Sequence, residues 1–144
     1  MDKANQRPLL MTEGKVLLDG KEVMNAVKCT IKFKPKTWTG KSLGDRTGST
    51  RWTGVDTITV EMTQRRSTPW LKHMVAEYLK TGKTPEFTIQ GTMNDADSDY
   101  YDAYGVDTTT AIGCVLTSEI NLTDLDTAGE TVEDSITFNA KDLA

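Results

Sequence analysis

AVKCTIKFKPK, residues 26–36, and GVDTITVEMTQ, residues 54–64, each alternate apolar with polar side chains at a period of two. In an extended chain Cys29, Ile31 and Phe33 fall on one side of the first run, and Lys28, Thr30, Lys32 and Lys34 on the other. In the second run Ile58, Val60 and Met62 oppose Thr57, Thr59, Glu61 and Thr63. The simplest local connection between two such strands is an antiparallel hairpin closed by the Gly-, Ser- and Thr-rich segment 37–50. One face of that hairpin enters a core and the other meets something polar. Threonine suits the polar face, because its β-branch favours extended chain while its hydroxyl tolerates water.

The connecting segment holds Lys41, Asp45, Arg46 and Arg51 among glycines and is bracketed by Trp38 and Trp52. It lies near the upper end of ordinary connection lengths, and an assembly contact would order it. The two tryptophans are expected to pack across the hairpin base or to cover an adjoining element.

Upstream, GKVLLDGKEVMNA places Asp19 and Gly20 between short extended runs at 16–18 and 22–24, which predicts a small hairpin with a type I′ turn. Residues 1–13 are expected to form a flexible or subunit-contacting arm, and residues 14–144 a single domain. Downstream, RRSTPWLKHMVAEYLKTGKTP reads as a helix capped by Ser67 or Thr68, opened by Pro69 and ended by Gly82. Its apolar stripe comprises Trp70, Leu71, Met74, Val75, Tyr78 and Leu79. EFTIQGTM is a further half-buried strand, with Phe87 and Ile89 inward. The tail after residue 107 supplies two more strands, one with Cys114, Leu116, Ile120 and Leu122 inward, and a last with Val132, Ile136 and Phe138 inward. A turn around Gly129 separates them. Glu130, Glu133 and Asp134 are expected to blunt an exposed edge by charge. The expected fold class is mainly β: a sandwich or incomplete barrel with one packed α-helix and a long extended hairpin.

Candidate chemistry is sparse. His73, the single histidine, lacks a neighbouring metal-ligand or base-orienting partner at suitable spacing. Asp95, Asp97, Asp99 and Asp102 lack the glycine and terminal Glu of a calcium loop and are expected to form a solvated acidic loop. Cys29 and Cys114 sit in apolar patterns as small core residues. No catalytic set, metal site or cofactor is expected. The net charge of −4 over 144 residues and a pI near 5.0 argue against a generally nucleic-acid-binding surface, and Lys28, Lys32, Lys34, Lys36 and Lys41 lack interleaved aromatics. Neither a membrane span nor a signal core is expected, which places synthesis in a cytoplasm.

GKVLLDGKEV, RTGSTRWTGVDTITVEM, YLKTGKTPEFTIQGTMND and GCVLTSEINLTDLDTAGETVEDSITF, in that order and with that intervening helix, resemble the tail tube proteins of contractile phages and phage-like bacteriocin particles. The resemblance spans most of residues 14–138. It implies a subunit of stacked hexameric rings forming a hollow tube, with Lys28, Thr30, Lys32, Lys34, Thr57, Thr59, Glu61 and Thr63 facing the lumen. It implies contacts to a neighbouring subunit or ring from Trp38, Lys41, Asp45, Arg46, Arg51 and Trp52. The implied partners are a sheath, a baseplate or tail initiator, a tape-measure protein and a tail terminator, with transient DNA passage and no firm DNA binding. The location implied is the virion tail or a phage-like particle, reached from the host cytoplasm. A hexameric secretion-tube subunit is the nearest alternative. A small ligand-binding or adaptor β-domain, with a patch built on Trp38, Trp52 or residues 100–104, is another.

Overall fold

The computed structural model describes residues 7–23 and 25–144. The strands are β1 (Gly14–Leu18), β2 (Lys21–Glu22), β3 (Ala26–Gly40), β4 (Ser49–Arg65), β5 (Phe87–Met93), β6 (Asp107–Leu116), β7 (Glu133–Ala140) and β8 (Asp142–Leu143). Helix α1 (Trp70–Thr81) follows β4, and a short helix α2 (Asp99–Tyr104) follows β5. The strand order is β2-β1-β5-β6-β7-β4-β3, with β8 on β6, so the eight-stranded sheet stays open between β2 and β3.

The sheet folds over on itself at β6. Its first part pairs with β5, and its last residues, Val115 and Leu116, pair with Asn139 and Phe138 of β7. Gly113, at φ 67°, makes the bend. Two layers then face each other across one core: Val16, Ile89, Ala111 and Cys114 from one, and Val60, Met62, Ile136 and Phe138 from the other. Edge-on aromatic contacts tie the layers to the helix, Phe138 to Phe87 at 6.0 Å and Phe87 to Trp70 at 6.0 Å. The small hairpin is present, with Asp19 and Gly20 both at positive φ (51° and 84°) as a type I′ turn requires; Met24 of the expected 22–24 run lies outside the described residues.

Several expectations are corrected. The long hairpin reaches further than its alternation indicates: Trp38, Arg51 and Trp52 are paired strand residues, and only residues 41–48 form the loop. Gly- and Thr-rich TWTG and STRWTG conceal this, because β4 carries extra residues where the pairing jumps from Thr57 to Val55 and from Gly54 to Trp52. Helix α1 begins behind Pro69 without a side-chain cap from Ser67 or Thr68, and ends in Gly82 at φ 73°. Its stripe packs only through the first turns: Leu71 is buried and Trp70, Met74 and Val75 half-buried, while Tyr78 and Leu79 are exposed. Residues 117–122 are not strand, and Leu122 points outward rather than into the core. The cause is Arg66, whose guanidinium takes the carbonyls of Asn121 and Leu122 at 2.6 and 2.9 Å, leaving them unavailable to a ladder.

Asp134 does not blunt an edge. β7 lies between β4 and β6, and Asp134 is 4% exposed, on the same face as Ile136 and Phe138, bonded to Arg66 at 2.8 and 3.2 Å. The aspartates at 95–102 are likewise not a wholly solvated loop. Asp95, Ser98 and Asp99 are buried, and Ser98 caps α2 by accepting from the Tyr101 amide at 3.1 Å. Arg7 bonds Asp97, Asp99 and Asp102 with its side chain, and its backbone exchanges bonds with Asp99 in both directions. Asp99, first by hydrogen bonding, holds the Arg7 guanidinium above its usual pKa. Residues 7–13 of the expected arm thus dock on α2, whereas residues 1–6 lie outside the described residues.

Candidate assembly site on the long hairpin

The β3–β4 register places Lys28 opposite Thr63, Thr30 opposite Glu61, Lys32 opposite Thr59 and Lys34 opposite Thr57, all on the face away from the core. The core face carries Cys29 opposite Met62, Ile31 opposite Val60 and Phe33 opposite Ile58. Ile58, Val60 and Met62 are buried, and Cys29 and Ile31 half-buried against the same cluster. Burial raises the pKa of both Cys29 and Cys114, keeping them as neutral thiols at pH 7. Phe33 is a correction: it lies beyond the core, exposed, against Trp52 at a ring separation of 5.7 Å.

The polar face is wider than the hairpin. Ser135, Thr137 and Asn139 of β7 sit opposite Thr63, Glu61 and Thr59 and extend it by one strand. Thr63 and Ser135 exchange a hydroxyl bond at 3.2 Å. Alternation of Ser135, Thr137 and Asn139 with Ile136 and Phe138 was the available signal for this third strand. Its charge is largely balanced locally: Lys32 bonds Glu61 at 3.3 Å and Lys34 bonds Asp56 at 3.4 Å. Hydroxyls, amides and paired charges give a wet surface with little net attraction for a polyanion.

Along its length β3 pairs with β4 alone, so its second edge has no strand partner among the described residues. A strand of 15 residues with one bare edge is a template for another chain. Lys28, Lys32, Lys34, Lys36 and Pro35 on this strand discourage indiscriminate pairing.

Beyond Ile58 the hairpin leaves the body, since residues 49–57 of β4 pair only with β3. Its apolar face continues there as Phe33, Val55 and Trp52, all exposed. Trp38 lies opposite Arg51 with its indole over Gly40, so the structure brings Trp52 to Phe33 rather than the two tryptophans together. At the apex Ser42 accepts from the Asp45 amide, Asp45 accepts from the Ser42 amide at 3.0 Å, and Gly44 takes φ 90°. That turn presents Leu43 fully to solvent. Lys41 and Arg46 flank it within the loop. Tyr100 and Tyr104 meet separately on α2 at 5.2 Å with their ring planes tilted by 52°, and His73 lies exposed on α1.

A phage tail tube protein profile matches residues 4–144. The chain belongs to that family. A tail tube subunit is a structural component of a phage or phage-like tail, and the fold is shared with chains of solved contractile injection systems. It is similar to a chain in the sheath/tube terminator of the extracellular contractile injection system PVC in its extended state, at TM-score 0.72 and 10% identity over 96% of each chain. It is similar to a chain in the PVC sheath-tube complex, at TM-score 0.67 and 9% identity over 96% of this tail tube chain and 91% of that one. A third similarity, at TM-score 0.68 and 13% identity over 100% and 94%, is to a chain in the tube-terminating cap of the anti-feeding prophage. Among curated proteins none matches this tail tube chain.

Proposed function

We propose that the chain assembles laterally into hexameric rings that stack into a hollow tube, with the polar face of β3, β4 and β7 turned to the lumen. The observation that carries this reading is the pairing of two features on one element: a long strand with a bare edge, and a sheet whose outer face is polar while its inner face is sealed. Lateral addition of a neighbour's strand to β3 supplies the missing backbone partners, and closure of the ring removes the edge altogether. Lys28, Thr30, Lys32, Lys34, Thr57, Thr59, Glu61 and Thr63 then meet water in the channel. Trp38, Lys41, Asp45, Arg46, Arg51 and Trp52 meet a neighbouring subunit or ring. Residues 1–13 act as an arm on the 14–144 body.

The tube passes DNA without gripping it. Its partners are a sheath, a baseplate or tail initiator, a tape-measure protein and a terminator. A tube belonging to an injection system or bacteriocin-like particle is the second reading, supported by the contractile injection systems among the similar structures.

Electron microscopy of the purified protein, followed by reconstruction of any tubes, tests the proposal. Rings with a central hole and Thr59 and Glu61 facing inward are expected. A chain that stays monomeric across concentration and salt, even with its cognate tail initiator, refutes the assembly; an inward-facing Val60 and Met62 refutes the lining.

A further inference from the structure

The ladder between β3 and β4 is interrupted twice between Thr53 and Asp56 of β4. Asp56 is an extra residue between the pairs Lys34↔Thr57 and Pro35↔Val55, and Thr53 is another between Lys36↔Gly54 and Thr37↔Trp52. A bulge of this kind leaves one residue out of the ladder and bends the strand that carries it. Pro35, lying between the two, brings no amide hydrogen to the pairing. Backbone bonding is therefore sparsest here. No third strand steadies the stretch, because β7 pairs with β4 only from Ile58 onward.

Side chains bridge what the backbone leaves open. On the polar face Asp56 meets Lys34 at 3.4 Å, and the Thr53 hydroxyl donates to the Lys36 carbonyl at 3.1 Å. On the apolar face Trp52, from the tip side of both bulges, reaches Phe33 on the body side, with ring centroids 5.7 Å apart and planes tilted by 40°. Trp52 stands opposite Thr37, and Phe33 and Thr37 lie ~13 Å apart along an extended strand, so the ring contact spans the bulged stretch. Both rings are exposed, and so are both members of the Lys34–Asp56 pair. A wet ion pair contributes little, which leaves the aromatic contact as the main restraint.

We infer that the double bulge is an elbow, and that residues 37–52 form an arm which swings on it as one piece, held in the observed direction by the Phe33–Trp52 contact. The arm is an unbroken ladder from Thr37↔Trp52 to Gly40↔Ser49, closed by the Ser42–Asp45 turn and by a hydroxyl contact of 3.0 Å between Thr39 and Thr50. It can move without melting. The body side is equally firm, since Ile58, Val60 and Met62 are buried in the core. Bending is thus confined between two stiff pieces. Any surface that covers Trp52 in place of Phe33 releases the arm, and no core contact has to break. The elbow belongs to the single chain and does not rest on the ring reading.

Electron–electron double resonance on the unassembled full-length chain tests the elbow. Spin labels at the exposed positions Ser49→Cys in the arm and Asn139→Cys in β7, in a Cys29→Ala, Cys114→Ala background, report a separation of roughly 30 Å. Deleting Thr53 and Asp56 together joins Lys34↔Thr57, Pro35↔Val55, Lys36↔Gly54 and Thr37↔Trp52 into one uninterrupted register, which supplies a straightened control. With both bulges present, Trp52→Ala and Phe33→Ala are each expected to widen the distance distribution at least two-fold. Melting temperatures are expected to hold, because both rings lie outside the core. In the chain lacking Thr53 and Asp56 the distribution is expected to stay narrow with or without Trp52. With the native cysteines restored, Trp52→Ala is expected to speed amide exchange at residues 53–56 and to leave 37–40 and 49–52 unchanged. Distributions that overlay the labelled parent in both ring variants overturn the inference. So does a widening that persists once the bulges are deleted, since the movement then lies elsewhere. Faster exchange throughout 37–52 overturns it as well, because the arm is then melting rather than swinging.

Discussion

Replacing Arg66 by alanine tests how residues 117–132 are fastened to the sheet. The guanidinium makes four bonds: to Asp134 at 2.8 and 3.2 Å, and to the Asn121 and Leu122 carbonyls at 2.6 and 2.9 Å. Asp134 holds it above its usual pKa, chiefly through the hydrogen bond. The Asp134 side chain is only 3% exposed, so removal of its partner strands a carboxylate in the interior. Breaking a buried pair of this kind costs about 3–5 kcal/mol. Arg66 keeps 28% side-chain exposure, which lets water approach the site and favours the lower end, about 3 kcal/mol. For a chain of this size that corresponds to a fall in Tm of about 10 °C. Arg65→Ala is the internal control, since its 3.8 Å contact with Glu133 joins two well-exposed groups and is worth about 0–1 kcal/mol. Calorimetry on the unassembled chain gives the stabilities, and amide exchange should show faster exchange through residues 117–132 in R66A alone. Arg66→Met combined with Asp134→Leu should recover much of the loss, because an apolar pair leaves no stranded charge. A loss in R66A no larger than in R65A, or a double variant less stable than R66A, refutes the reasoning.

Phe138→Ala should cost about 3–5 kcal/mol in chemical denaturation, since a fully buried ring that meets Phe87 edge-on is removed from the centre of the core. Gly113→Ala should cost about 1–2 kcal/mol, because φ is 67° and the new methyl would lie 2.9 Å from Lys141 Cβ; an unchanged melting curve would contradict the bend at β6. Burial raises the folded-state pKa of Cys29 and Cys114, so stability they confer is intact below the ordinary thiol pKa near ~8.5 and declines as pH rises above it. Melts between neutral and alkaline pH should show that decline, flattened in a Cys29→Ala, Cys114→Ala chain, and alkylation of native Cys114 should track global unfolding. Arg7→Ala should lower the melting temperature and speed proteolysis within residues 7–13, since it takes the guanidinium away from Asp99, whose side chain is 6% exposed, as well as from the exposed Asp97 and Asp102.

The parts of this fold that could be read from sequence are those set by near neighbours along the chain. Period-two alternation placed Ile58, Val60 and Met62 inside and Thr57, Thr59, Glu61 and Thr63 outside, because the direction of a strand side chain depends only on parity. The helix end at Gly82 was legible for the same local reason. Where the structure departs, a distant partner intervenes. Arg66 turns Asp134 inward and diverts Asn121 and Leu122 from strand. Arg7 draws the 95–102 aspartates into buried or bonded positions from more than 80 residues away. The extra residues in β4 break the alternation where the hairpin leaves the body, and so hid how far it projects. The bare edge of β3 was beyond any local pattern, because an edge is defined by strand order across the whole sheet.

The bend at Gly113 also governs how load passes through the subunit. One continuous backbone enters β6 in one layer and leaves it in the other, so shear that would slide the layers past each other is resisted by covalent bonds. On the opposite flank the chain also crosses, from β2 to β3 through residues 23–25, but among the described residues no ladder joins β3 to β5, over which Ile31 leans towards Gly91. Within the subunit the layers therefore part more readily along the β3–β5 seam, held by side-chain packing, than at β6, where one strand carries a ladder into each layer.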